Sequence, residues 1–86
     1  MTVLDVNYVM RSKNRRRFLE ALEKEPKTNS YLSRELNIDI SNIRKLIVDL
    51  EEKDFIVCKN PDDFHFKLYG LSRKGRKILK QVKKLD

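Results

Sequence analysis

The chain has very little cysteine, histidine, glycine and proline, and it has no tryptophan. Its single cysteine, Cys58, cannot form an internal disulfide, and the apolar run before it predicts a buried thiol in a reducing compartment. One histidine and one cysteine do not make a metal site on their own, so we predict neither a metal nor a cofactor. The few glycines and prolines and the absence of an internal repeat predict one domain over residues 1–86.

Long hydrophobic runs and catalytic motifs are also missing. No apolar stretch approaches the ~20 residues that a membrane span requires. The N-terminus lacks the basic region and apolar run of a secretion signal. We find no glycine-rich phosphate loop, no nucleophile motif and no pair of catalytic groups. We therefore expect a cytoplasmic protein that is not an enzyme and has no membrane partner.

Positive charge is in excess, and it is unevenly distributed. The net charge of +7 favours a polyanionic partner. Five cations lie within residues 11–17 with no acid among them, and seven more lie within residues 73–84. Residues 18–70 hold eight Lys/Arg against eleven Asp/Glu, which leaves a net charge of −3. The basic charge is therefore concentrated outside the middle of the chain.

Hydrophobic spacing and capping residues predict three helices in the first part of the chain. Residues 3–10 favour a short helix over a strand. Ser12 is suited to cap a helix over residues 13–24, which Pro26 ends. A short helix over residues 31–36 then follows, capped by either Thr28 or Ser30.

A tight turn at residues 37–39 leads from this short helix into a long one that ends at Lys53 and is capped by Asp39 or Ser41. Aromatic and β-branched residues predict strands over 56–59 and 65–71, joined as a hairpin by the turn residues 60–63. Ser72 caps a last helix. The fold class is α+β and mainly helical: a winged helix-turn-helix with a two-stranded β-hairpin wing and a C-terminal helix. The expected ranges are about 30–53 for the helix-turn-helix, 55–71 for the wing and 73–85 for the C-terminal helix.

The open face of the long helix carries side chains suited to reading bases. Arginine can contact guanine with two hydrogen bonds, asparagine can do so with adenine, and an exposed valine can touch a thymine methyl group. These side chains lie toward the N-terminal end, which usually reaches the base edges. The predicted DNA-reading residues are Ser41, Asn42, Arg44, Lys45 and Val48.

Three segments resemble archaeal winged-helix transcriptional regulators related to the MarR and ArsR groups. They are SKNRRRFLEALEKEPKT, LSRELNIDISNIRKLIVDLEEKDFIVC and YGLSRKGRKIL, and the resemblance covers roughly residues 8–82. It implies DNA binding, usually as a dimer, with Ser41, Asn42, Arg44 and Lys45 on the recognition helix. Such regulators usually carry glycine where this chain has Asn37 and Asp54. Both positions require a left-handed backbone, which Asn and Asp tolerate better than other non-glycine residues.

Contacts to the DNA backbone are expected from basic residues outside the recognition helix. Asp62 and Asp63 occupy the wing tip, where two carboxylates predict that the tip does not insert into a groove. The basic cluster near the N-terminus sits at a helix start, where positive charge opposes the helix dipole, so a benefit such as phosphate contact is expected. The candidates for backbone contact are Lys13, Arg15, Arg16, Arg17, Lys59 and Lys67.

The apolar stripe of the C-terminal helix has three possible partners: the core of the same chain, a second subunit, or an anionic membrane. We favour a second subunit. A two-fold dimer would then place its recognition helices about 34 Å apart on successive major grooves and favour a palindromic site. The candidate interface residues are Val3, Val6, Met10, Ile78, Leu79, Val82 and Leu85.

The sequence therefore predicts a sequence-specific double-stranded DNA-binding protein that regulates transcription as a homodimer. The alternative is a winged-helix module that docks proteins, which the net negative middle section and the acidic wing tip favour. RNA is a weaker third possibility, because we find no aromatic platform on which bases would stack.

Overall fold

A computed structural model describes residues 3–85 of the chain. Five helices and three strands follow one another along it. They are α1 (Val3–Met10), α2 (Lys13–Ala21), β1 (Lys27–Thr28), α3 (Asn29–Leu36), α4 (Ile40–Glu52), β2 (Ile56–Cys58), β3 (Leu68–Leu71) and α5 (Arg73–Lys84). The predicted fold class is confirmed.

Side-chain caps set the start of each helix after the first. The Ser12 hydroxyl accepts a hydrogen bond from the backbone N–H of Arg15 at the start of α2, and Ser72 does the same for Gly75 at the start of α5. Of the caps left open by the sequence, Thr28 caps α3 and Asp39 caps α4. The one large difference in helix length is in α2, which ends at Ala21 rather than at residue 24.

Two residues that are not glycine adopt the left-handed backbone conformation that the sequence predicted. Asn37 has φ of 55° and Asp54 has φ of 63°. Asn37 ends α3 and lets the backbone N–H of Ile38 donate to the Ser33 carbonyl, at 3.1 Å. Asp54 follows α4 and turns the chain into β2. Both reversals of the chain around α4 therefore depend on a non-glycine residue in a costly conformation.

The sheet has three antiparallel strands rather than two. β3 pairs with β2, which confirms the predicted hairpin, but its other edge pairs with β1. In that second ladder Lys27 lies opposite Tyr69, and Thr28 lies opposite Leu68. Residues 65–67, which were predicted to extend the second strand, lie in the connecting loop instead. The base of the wing is thus joined on both sides to the rest of the fold.

One hydrophobic core holds the elements together, and α5 docks on it at very short range. Fully buried side chains include Phe18 of α2, Ile43 of α4 and Phe55 beside β2. A Cβ atom at Gly75 would lie 1.9 Å from the carbonyl oxygen of Phe55, so this position accepts only glycine. The Ser72 hydroxyl also donates to the Asp54 carbonyl, at 2.6 Å. The start of α5 is therefore fixed against the start of β2.

The apolar stripe of α5 belongs to this core, which corrects part of the predicted dimer interface. Ile78, Leu79 and Val82 are at most 1% exposed within the single chain, so they present no surface to a second subunit. An amphipathic stripe indicates that one face of a helix is buried but does not identify what packs against it. Here that face packs against the core of the same chain. Of the other candidates, Val6 is partly buried against the core, and Val3, Met10 and Leu85 are exposed.

Candidate nucleic-acid interface

The outward face of α4 presents all five predicted DNA-reading residues to solvent. Ile43, Ile47 and Leu50 anchor the opposite face in the core. The exposed residues are Ser41, Asn42, Arg44, Lys45 and Val48. A rigid helix with a buried stripe behind it and polar donors in front has the geometry needed to enter a major groove.

Ser41 has a second task at the start of α4. The Asp39 carboxylate accepts hydrogen bonds from the backbone N–H and from the hydroxyl of Ser41. These two hydrogen bonds hold the pKa of Asp39 below its usual range, and the bond from the hydroxyl has the larger effect. While the cap is formed, the Ser41 hydroxyl can accept a hydrogen bond from DNA but has no free hydrogen to donate.

Val48 is unusual among the residues of this face because it is apolar and 54% exposed. Together with Arg44, Lys45 and Asp49 it lines a shallow depression on the helix surface. An apolar floor between two cations suits a thymine methyl group flanked by acceptor groups and phosphates. Asp49 lies about one turn beyond Lys45 and bounds the depression on the side away from the helix start.

Three arginines of the basic cluster, all on α2, have intramolecular partners. Arg15 donates to the Tyr8 carbonyl at 2.9 Å, and its guanidinium carbon lies 3.8 Å from the centre of the Tyr8 ring. Arg17 donates to the Leu36 carbonyl at 2.8 Å, at the end of α3. Arg16 pairs with Glu20 at 3.7 Å. The sequence assigned this cluster to phosphate contact. The structure gives the arginines a role in holding α1, α2 and α3 together and leaves Lys13 exposed.

The Tyr8 ring is the centre of a wider cluster. Besides Arg15, the ammonium of Lys53 lies 4.8 Å from the ring centre, and the Phe55 ring meets it edge-on at 6.2 Å. Through these contacts α1 touches α2, the C-terminal end of α4 and the start of β2. The far end of the candidate recognition helix is thus braced by a helix that precedes the helix-turn-helix.

The wing loop is organised by two side chains. The Asn60 amide accepts from the Leu68 N–H at 2.6 Å and donates to the Phe66 carbonyl at 2.7 Å. The Asp63 carboxylate accepts from the N–H groups of Phe66 and His65, and these bonds lower the pKa of Asp63. One of the two tip carboxylates therefore folds back on the loop, whereas Asp62 is exposed.

Two phenylalanines on the wing are exposed, which the sequence pattern did not predict. Phe64 is 90% exposed and Phe66 is 71% exposed, and both lie in the loop before β3. Residues 65–71 were predicted as a strand, in which alternation would turn Phe66 toward the core. The turn chemistry of Asn60 and Asp63, which extends further than the predicted turn, is the signal that could have placed these rings outside. Lys59 and Lys67, the wing candidates for backbone contact, are exposed on the same loop.

Within residues 3–85, no group of three or more His, Cys, Asp and Glu side chains comes together as a possible metal site. In the same part of the chain, no helix is both long enough and apolar enough to cross a membrane.

Residues 16–86 match the family described as Winged helix-turn-helix. The chain belongs to this family. The winged-helix part of the resemblance is thus confirmed, whereas the relation to the MarR and ArsR groups stays a prediction. The archaeal origin stays a prediction. No curated protein matches the chain.

Several solved structures share the winged-helix fold at low sequence identity. Lactococcus lactis ZitR in complex with DNA is 21% identical with a TM-score of 0.73, and it is matched over 83% of this chain and 49% of its own. The adhesin competence repressor AdcR from Streptococcus pyogenes is 21% identical with a TM-score of 0.76, over 86% and 55%. The transcriptional regulator Tm0710 from Thermotoga maritima is 21% identical with a TM-score of 0.77, over 94% and 61%. This chain therefore spans about half to three-fifths of each of these proteins.

Proposed function

We propose that this winged helix-turn-helix chain is a single-domain, cytoplasmic, sequence-specific double-stranded DNA-binding protein that regulates transcription as a homodimer. The observation that carries the proposal is the outward face of α4, where polar and basic side chains stand free at the helix start while the opposite stripe is anchored in the core. The similar ZitR structure in complex with DNA supports this use of the fold. We propose no catalytic activity.

The base-reading part of the proposal is tested at Arg44. After selection of a preferred duplex from a random pool, binding to that duplex and to random DNA is measured for the unchanged protein, Arg44→Ala and Arg44→Lys. Lysine keeps the charge but lacks the planar pair of donors that fits guanine. Loss of a good bidentate contact is worth about 1–3 kcal/mol of discrimination, or roughly 5- to 150-fold.

We expect both variants to lose preference for the selected duplex, and only Arg44→Ala to lose affinity for random DNA as well. If Arg44→Lys keeps the full preference, Arg44 acts as a charge alone and does not read a base. If the unchanged protein selects no sequence, the claim of specificity fails.

The homodimer needs an interface without the α5 stripe, and three of the candidates that the sequence suggested remain exposed. Val3 and Met10 are exposed and lie seven residues apart on one face of α1, and Leu85 is exposed at the end of α5. We propose the outer face of α1 and Leu85 as the interface. Sedimentation of the unchanged protein, Met10→Ser and Leu85→Ser tests this: a dimer that the serine variants dissociate supports it, and a monomer at all concentrations refutes it.

A protein-docking function is the second candidate, and Phe64 and Phe66 beside Asp62 are the observation that favours it. Exposed aromatic rings of this kind are enriched in the centres of protein interfaces. Salt separates the two functions, because binding to duplex DNA weakens steeply as salt rises. Absence of any DNA affinity at low salt would favour docking.

A further inference from the structure

The outer face of α5 carries a row of cations that the helix-turn-helix does not use. Three of the seven cations of α5 have acidic or carbonyl partners on α1 or in the segment that follows α2. Lys74 lies 3.8 Å from Asp5, Arg76 donates to the Glu23 carbonyl at 3.2 Å, and Lys83 donates to the Glu23 carboxylate at 2.6 Å. The other four, which we call the α5 cation row, are Arg73, Lys77, Lys80 and Lys84.

The α5 cation row is exposed along its length and unpaired. Within residues 3–85 no hydrogen bond or ion pair involves these four side chains. At about 100° per residue they fall on one face of the helix, about 180° from the buried face formed by Gly75, Ile78, Leu79 and Val82. No acid occurs anywhere in α5. Cations three and four residues apart repel each other and destabilise a helix, so the sequence maintains this row against a local cost.

The spacing and the surroundings of the row favour duplex DNA as its partner. From the first cation to the last the row spans about 16 Å of helix. A duplex presents about one negative charge per 1.7 Å of its axis, so that length faces roughly ten phosphate charges. A membrane surface is a poorer fit, because the outward face has no apolar side chain between its cations to enter the lipid.

The row and the outward face of α4 are separate surfaces. α4 packs on α2, α3 and β2, whereas α5 packs on α1, α2 and β3, and both bury their apolar stripes in the same core. Their outward faces therefore point away from that core in different directions. The molecule is only 36 × 24 × 21 Å, comparable with the width of one duplex, so a straight duplex seated on one face leaves the other open.

We infer that the α5 cation row is a second duplex-binding surface, which holds phosphates without reading bases and allows one protein molecule to bridge two DNA segments. The inference rests on the proposed function, because the first segment is held by α4. Bridging follows because a phosphate-binding surface outside the α4 face can take up the phosphates of a second stretch of DNA while the first stays seated on α4.

A capture experiment tests the inference on the full chain. A duplex carrying the selected site is fixed to beads, the protein is added, and retention of a fluorescent duplex of random sequence is measured. The variants are Lys77→Gln/Lys80→Gln, Arg44→Ala, and the control Lys24→Gln, which removes an exposed cation outside both surfaces. The double variant should bind the bead duplex within about twofold of the unchanged protein and retain at least fivefold less second duplex.

Salt dependence gives a second readout of the same surface. The slope of binding to random duplex against salt should fall by about 1.8 in the double variant if both lysines contact phosphate, and should not change in Lys24→Gln. A smaller change than about half of that value would contradict phosphate contact by these lysines.

The outcomes separate the inference from the proposed function. A protein that binds its site but captures no second duplex overturns the inference and leaves the function standing. Undiminished capture by the double variant, with loss in Arg44→Ala, would assign bridging to two α4 helices of a dimer and overturn it. If the protein binds phosphatidylserine vesicles in preference to the duplex, and the double variant loses that binding, the row binds a membrane and the inference is overturned. A protein that binds no duplex refutes both.

Discussion

Single side chains at the two ends of α4 determine how this helix is presented. Asn37 and Asp54 hold the left-handed backbone before and after it. Asp39 and Ser41 form its cap, with the hydroxyl of a predicted DNA-reading residue turned onto the carboxylate. At the C-terminal end, Lys53 lies over the Tyr8 ring. The orientation of the outward face of α4 thus depends on a few residues at the two ends of the helix.

Asn37 is a position at which a small change should lower stability measurably. In Asn37→Ala the backbone at residue 37 must still be left-handed, and alanine tolerates that conformation less well than asparagine does. We therefore expect this substitution to lower the free energy of unfolding by about 1 kcal/mol. Asn37→Gly should stay within about 0.5 kcal/mol of the original, because relief of backbone strain offsets the greater freedom of the unfolded chain. Urea unfolding measures both, and equal losses would show that the strain is unimportant.

The Asp39 cap should make stability depend on acid. Its pKa is lowered in the folded chain, so its contribution is fully present above the unfolded pKa, near 3.8, and is lost as pH falls through the lower folded value. Asparagine can cap a helix without titrating. We therefore expect the melting temperature of Asp39→Asn to fall less between pH 6 and pH 3 than that of the unchanged protein. Identical decreases would mean that other carboxylates, such as Asp63, carry the effect.

At the scale of the elements, the sequence predicted the helices but not which segments pair or pack with one another. Caps and the spacing of apolar residues are local signals, and they placed α3 and α4 almost as the structure has them. β1 was missed because Lys27 and Thr28 have no alternation of their own and become a strand only by pairing with β3. The candidate DNA-reading residues followed from one helical face. The partners of Arg15 and Arg17 lie on other helices, and no local pattern reveals them.

The assignment of the α5 stripe to the core gives a prediction about stability rather than association. Ile78→Val removes one buried methylene group and should lower the free energy of unfolding by about 1 kcal/mol. Because the side chain is fully buried within the chain, the mass in solution should not change. Denaturant unfolding and sedimentation measure the two quantities. A dimer that dissociates in this variant at unchanged stability would restore the stripe to the interface.

At the scale of the whole molecule, α1 is part of the same structural unit as the helix-turn-helix, although the family match begins at residue 16. The contacts around Tyr8 join α1 to α2, α4 and β2. The cations also have two roles. Arg15 and Arg17 hold helices of the fold together, whereas the cations on α4, on the wing and on the outer face of α5 are exposed to solvent. The net charge alone could not distinguish these roles.

Tyr8 tests whether α1 unfolds with the remainder of the chain. Tyr8→Ala removes a ring with two cations and one aromatic neighbour, and such contacts are worth about 0.5–1.5 kcal/mol each. We expect a loss of about 2 kcal/mol or more in a single cooperative transition, and little loss in Tyr8→Phe, which keeps the ring. If helical signal from residues 3–10 melts separately in the unchanged protein, α1 is not part of the cooperative unit.

The pairing of β3 on both edges has a consequence for the motion of the wing. Amide hydrogens of β3 should exchange with solvent only when the whole fold opens, whereas those at the tip of the wing loop should exchange early. The base of the wing cannot swing as a hinged arm, since β1 ties it to α3. Any adjustment of the wing to a bound partner is therefore confined to residues 60–67, and the reach of Phe64 is limited to the length of that loop.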